Sequence, residues 1–96
     1  MDTHDQYKLL IGAYYGVKCL DEYPLKEYLL SDIRKLINGF IKEHNNSGLN
    51  FSALEEEFEK ELSRKTKLQN ALIVLHDMDA SMEAILLIRA RIKEEK

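Results

Sequence analysis

Apolar residues recur at helical spacing along most of this chain, most densely between residues 68 and 92. The stretch contains no Gly and no Pro, and its apolar positions advance by alternating steps of three and four, which is typical of a packed α-helix. Further apolar residues widen this surface beyond one face, so the pattern predicts the central helix of a bundle, with spare surface for a protein partner. The seam consists of Leu68, Ala71, Leu75, Met78, Met82, Ile85 and Ile92, with Arg89 in the one other position of the series.

Two shorter amphipathic stretches precede this segment. The first predicts a helix from about His4 to Leu20, for which Asp2, Thr3 and Asp5 supply the N-cap and first-turn acids. Pro24 marks the next boundary, because the residue before a proline is excluded from the helical region and proline itself suits a first turn. A second helix is therefore predicted over 24–44. The short connection predicts that the two helices form an antiparallel hairpin.

The remaining segment, 52–94, predicts either one long helix or a helix divided near 63–67 or 77–81. The undivided helix is favoured because the segment contains neither Gly nor Pro. We therefore predict a single all-α domain, 1–96, built as a helical bundle in which the N-terminal antiparallel hairpin packs on the long C-terminal helix.

Two details of the local sequence refine this prediction. The helix after the loop at 44–48 has two candidate caps, Asn50 or Ser52, the second in a capping box with Glu55. In the first helix, Gly12 and Gly16 stand one turn apart, and each costs about 1 kcal/mol relative to alanine. That cost is explained if the backbone of a neighbouring helix approaches closely there.

Composition restricts the class of protein. The chain has 96 residues, a formal net charge of −3 and no basic stripe, so we expect no nucleic-acid partner. No apolar run reaches the roughly 18 residues of a membrane span, and no signal-peptide pattern opens the chain. The single cysteine, Cys19, cannot form an internal disulfide. These features predict a cytoplasmic protein with no membrane partner.

Candidate chemistry is sparse. His76, Asp79 and Glu83 share one face if the segment is helical throughout, and such side chains can bind a metal. The di-iron pattern of helical bundles needs Glu-x-x-His, and residue 73 is Ile, so we predict no metal site and no cofactor. Asp79 is instead expected to be partly buried and paired with one of the arginines, Arg34, Arg64, Arg89 or Arg91.

Catalysis is also not indicated. Acid–base chemistry needs placed carboxylates or a histidine in a pocket, and the three histidines are scattered along the chain. We therefore predict no catalytic residues. The alternative is a small all-helical enzyme or metal-binding protein that uses the Arg cluster or the His76, Asp79 and Glu83 face.

The tyrosines suggest a binding surface, since tyrosine is enriched at protein interfaces. All five lie in the first 28 residues, where they either line one end of the core or form a surface. Together with the seam they define the predicted partner interface: Tyr15, Tyr23, Tyr28, Leu75, Met78, Met82, Ile85, Arg89 and Ile92.

An undivided 52–94 helix would be roughly 60 Å long, and the hairpin could cover only half of it. Self-association would cover the remainder, so we predict a homodimer that Met82→Asp dissociates and strongly destabilises. The predicted function is a non-catalytic protein–protein interaction module: a small adaptor, a chaperone-like or immunity-type protein, or a helical regulator.

Overall fold

The computed structural model describes residues 2–21 and 24–95, and within these ranges it contains five α-helices and no strand. The predicted all-α class is confirmed. Asp2 caps the first helix by accepting a hydrogen bond from the Asp5 backbone N–H at 2.8 Å, as its position in the sequence indicates. The helices are α1 (Thr3–Lys18), α2 (Lys26–Glu43), α3 (Phe51–Glu61), α4 (Arg64–Asp77) and α5 (Met82–Glu94).

The helix at the centre of the bundle is α1, which packs against α2, α3 and α4. Its inward side chains include Tyr7, Ile11 and Val17, which are fully buried. The segment 68–92 was expected to hold this central place. It instead forms α4, which packs along α1, and α5, whose main neighbour is α4.

Gly12 and Gly16 explain how α4 approaches α1 so closely. A side-chain carbon at Gly16 would collide with the backbone carbonyl of Lys67, and one at Gly12 would collide with the side chain of Asn70. Both neighbours belong to α4. The predicted close backbone approach is therefore confirmed at Gly16, while the neighbour of Gly12 is a side chain.

The long C-terminal helix does not form, because the chain leaves the helical conformation twice. Leu62 is extended, with φ −74° and ψ 131°, and the Ser63 hydroxyl then caps α4 by accepting from the Thr66 backbone N–H at 3.1 Å. Ser81 caps α5 in the same way through the Ala84 N–H. The divided alternative is thus the correct one, and the division occurs at both of the places considered.

The second break has a specific geometry at Asp79, the one described residue besides glycine with a positive φ, 54°. The Asp79 N–H bonds to the His76 carbonyl at 3.2 Å, and the Ala80 N–H bonds to the Leu75 carbonyl at 3.0 Å. This pair of bonds is the Schellman motif, in which glycine usually occupies the left-handed position. Helix α4 therefore ends here without a glycine.

Of the two candidate caps of α3, Asn50 is the one used, and its side chain accepts from the Ala53 N–H at 3.2 Å. Among the described residues, no helix combines the length and the apolar character that crossing a membrane requires.

Candidate functional site

Three of the seven exposed large apolar side chains in the described residues lie on α5, namely Met82, Leu86 and Leu87. This helix buries Ala84, Ile85 and Ile88, and its other side remains open, because among the described helices its main neighbour is α4. Met82 and Leu86 keep 65% and 54% of their surface exposed. We call this exposed stripe, formed by Met82, Leu86 and Ala90 at successive four-residue steps, the α5 face.

A groove of about 660 Å³ runs beside this face, and we call it the α4–α5 groove. Its floor is apolar and contains Leu72 of α4 together with Leu86 and Ile92 of α5. Two cations, Arg89 and Lys93, also line the groove. The complete lining is Leu72, Leu86, Arg89, Ala90, Ile92 and Lys93.

The two cations that line the groove differ from Arg91, the third cation of α5. Within residues 2–21 and 24–95, Arg89 and Lys93 take part in no ion pair, although both are exposed. Arg91, in contrast, lies 3.3 Å from Glu94 and 3.7 Å from Glu95. The groove thus combines an apolar floor with two uncompensated positive charges one turn apart.

A second polar constellation joins α1, α2 and α3. The carboxylate of Glu55 on α3 accepts two hydrogen bonds from the Arg34 guanidinium of α2, at 2.9 and 3.1 Å. It also accepts one from the hydroxyl of Tyr15 on α1, at 2.8 Å. The Arg34 guanidinium lies 4.3 Å from the centre of the Tyr14 ring, within cation–π range. We call this arrangement the Glu55 bridge.

The electrostatics of the Glu55 bridge follow from its geometry. Hydrogen bonds from Arg34, and secondarily the one from Tyr15, hold the pKa of the Glu55 carboxyl below its ordinary value despite partial burial. The same bonds to Glu55 raise the pKa of Arg34. Burial, followed by the bond to Glu55, raises the pKa of Tyr15. The bridge thus stabilises the ionised forms of Glu55 and Arg34 and the protonated form of Tyr15. These three side chains have a structural role.

The predicted interface residues fall into separate environments. Leu75 and Ile85 are buried in the chain's own core, and Met78 and Ile92 are half-buried against it. Met82 and Arg89 are exposed, because the break between Met78 and Ser81 ends the single helical face on which the seam was based.

The tyrosines of the predicted interface also differ from one another. Tyr15 is half-buried and bonded to Glu55, so it belongs to the Glu55 bridge. Tyr28 is 71% exposed on α2. Tyr23 lies outside the described residues.

The metal-binding face does not form. Asp79 lies in the turn between α4 and α5, so His76, Asp79 and Glu83 do not share a helical face, and their ligand atoms are not grouped. The expectation that Asp79 is partly buried and paired with an arginine is also wrong, since Asp79 is exposed and no ion pair to it is seen among the described residues. Its position is explained by the left-handed turn that ends α4.

The one grouping of potential ligands in the described residues is Asp2, His4 and Asp5, all exposed in the first turn of α1. Two of these side chains have other roles. Asp2 caps the helix, and the His4 ring packs edge-on against Phe58 at 5.1 Å. Helix capping and packing therefore account for this cluster.

The four arginines do not converge on one site, although two of them share a carboxylate. Arg34 bonds to Glu55, while Arg64 and Arg91 each lie 3.7 Å from Glu95. Arg89 lies apart from these and lines the α4–α5 groove.

Sequence reasoning missed the Glu55 bridge, although a signal for it exists. Glu55 directly follows Leu54 of the apolar stripe of α3, and Arg34 directly follows the buried Ile33 of α2. Charged residues at the edges of two apolar stripes can reach one another when the stripes face a common neighbour, here α1.

Comparison of the chain with protein-family models, with curated proteins and with solved structures finds no match.

Proposed function

We propose that this protein is a non-catalytic protein-binding module and that it binds its partner through the α5 face and the α4–α5 groove. The observation that carries the proposal is the exposed apolar stripe of Met82, Leu86 and Ala90. Contiguous exposed apolar surface commonly marks protein interaction sites, because covering a large apolar side chain contributes about 1.5–3 kcal/mol.

The rest of the bundle supports this proposal by making the surface available without unfolding. A continuous core of buried residues links all five helices, and the Glu55 bridge fastens α3 to α1 and α2. The α5 face lies outside that core. Such a surface would serve any of four classes of binding protein, which differ in the partner that they bind: an adaptor, a chaperone-like protein, an immunity-type protein or a helical regulator.

Homodimerisation stays a prediction, and its basis has changed. The undivided helix that the hairpin could not have covered does not form. What now supports self-association is the α5 face alone. A second copy is therefore one of the partners that the experiment below distinguishes.

The proposal is tested by comparing Leu86→Asp with Leu36→Asp as immobilised proteins in an extract of the native host. Leu36 on α2 is 43% exposed, so the control introduces the same carboxylate at a comparable apolar surface position. We expect proteins retained by the wild type to be retained by Leu36→Asp and lost with Leu86→Asp. Equal retention by both variants, with both folded, would contradict the proposal.

A further inference from the structure

We infer that the α4–α5 groove binds an acidic amphipathic helix of a partner protein. This inference rests on the proposed function and adds the chemical class of the ligand. It starts from Arg89 and Lys93, which are exposed, one turn apart and unpaired within the described part of the chain. Like charges at this spacing repel one another. Carboxylates one turn apart on a ligand helix would relieve this electrostatic repulsion between Arg89 and Lys93.

The shape of the groove favours a helix. Its apolar floor, Leu72, Leu86 and Ile92, lies beside the two cations and runs along α5. The α5 face and the α4–α5 groove together extend from Met82 to Lys93, about 17 Å or three helical turns. A ligand helix of that length can place one apolar side chain per turn on this surface and its acidic residues against Arg89 and Lys93.

A second copy of the chain matches this surface less well. Its acidic helix, α3, turns its aromatic side chains Phe51 and Phe58 into its own core, so it has no large apolar stripe to offer the floor. Its α5 offers apolar side chains but carries the same Arg89 and Lys93. The charges therefore favour a different, acidic partner.

An anionic membrane surface also carries negative charge, but it matches the charges of this chain poorly. Glu83 is exposed on the same helix, and the chain has a net charge of −3, so both oppose approach to anionic lipid. The observations thus favour a protein helix.

The test uses two synthetic helical peptides of about 14 residues, long enough to span the groove. Both carry leucine at the spacing of one helical face, and the flanking positions are glutamate in one peptide and lysine in the other. Binding is measured by fluorescence anisotropy to the wild type, to Arg89→Glu/Lys93→Glu and to Lys35→Glu/Lys42→Glu. The last variant makes the same change of charge on α2, at two exposed lysines.

We expect the wild type to bind the glutamate peptide about tenfold or more tightly than the lysine peptide, because two ion pairs replace two repulsions. The Arg89→Glu/Lys93→Glu variant should reverse this preference, and the α2 variant should keep it. A preference that Arg89→Glu/Lys93→Glu leaves unchanged would overturn the inference.

The remaining outcomes separate this inference from the proposed function. If both peptides bind equally and Leu86→Asp abolishes that binding, the inferred preference for an acidic ligand is overturned. A protein-binding groove is then still supported. Absence of binding to either peptide would also overturn the acidic ligand, and the comparison of Leu86→Asp with Leu36→Asp in extract would then decide the proposed function separately. Binding to phosphatidylserine vesicles that Leu86→Asp abolishes would assign the surface to a membrane.

Discussion

At the scale of single residues, two helical glycines should respond to the same substitution with opposite signs. Gly16→Ala should destabilise the fold by about 1–3 kcal/mol, because the new methyl group meets the Lys67 carbonyl of α4. Gly39→Ala should stabilise it by about 0.5–1 kcal/mol, because Gly39 lies in α2 with open space around it. Urea unfolding measures both, and stabilisation by Gly16→Ala would contradict the close approach of α1 and α4.

The turn at Asp79 gives a second residue-scale prediction. Asp79→Gly should stabilise the protein by about 0.5–1 kcal/mol, because glycine adopts the left-handed conformation at φ 54° without the strain of a side chain. The control is Asp77→Gly, the same change two residues earlier, inside α4. It should not stabilise the protein, and equal stabilisation by both in thermal unfolding would contradict the Schellman motif.

Because of the buried Tyr7, the folded protein should lose stability at alkaline pH. Burial, followed by the negative charge of Glu55, raises the pKa of Tyr7 from 10.0 to about 12, and its hydroxyl donates to the Phe51 carbonyl at 3.1 Å. Because the folded state keeps this proton more tightly, the stabilisation is complete below pH 10 and is lost as the pH rises towards 12. Tyr7→Phe should reduce this pH dependence in denaturant titrations, whereas Tyr28→Phe, at an exposed position, should leave it unchanged.

At the scale of elements, the Glu55 bridge should hold α3 against α1 and α2. Glu55→Gln keeps the shape but removes the charge, and we expect a loss of about 1–2 kcal/mol after allowing for partial exposure. The folded state lowers the pKa of Glu55. The contribution of the bridge to the stability of the fold is therefore complete above pH 4.5, the ordinary pKa, and is lost as the pH falls below that value. The variant should therefore lose less stability on acidification than the wild type, while Glu56→Gln, exposed beside it, should behave like the wild type.

The helices differ in how well the sequence predicts them. Pro24 and regular apolar spacing place α1 and α2 within a few residues of their observed bounds. The divisions at Leu62 and Asp79 lack Gly and Pro and depend on serine caps and one left-handed aspartate, so the sequence indicated them only as an alternative. Those breaks determine which seam residues are buried.

The candidate site was only partly predictable for the same reason. Met82, Arg89 and Ile92 were assigned to the interface from the seam, and they lie on or beside the groove. Leu72 and Leu86 belong to the wider apolar surface, but their meeting across the turn requires α5 to fold back on α4. Periodicity along one helix contains no information about that reversal.

At the scale of the whole molecule, the α5 face should be separable from the fold. Met82→Asp should leave the monomer helical with a melting temperature near that of the wild type, because Met82 is 65% exposed and an acid suits the first turn of α5. This replaces the large destabilisation expected from an undivided seam. Ile85→Asp, three residues later and 4% exposed, should unfold the chain, as monitored by circular dichroism.

The measurement that tests the α5 face as the protein-binding surface most directly is a photo-crosslinking scan in the native host. A photoreactive residue is placed in turn at Met82, Leu86 and Ala90, and at the exposed control positions Leu36 and Lys60. We predict one discrete protein adduct from all three α5 positions and none of that mass from the controls. A shared adduct from the control positions, with none from α5, would contradict the account.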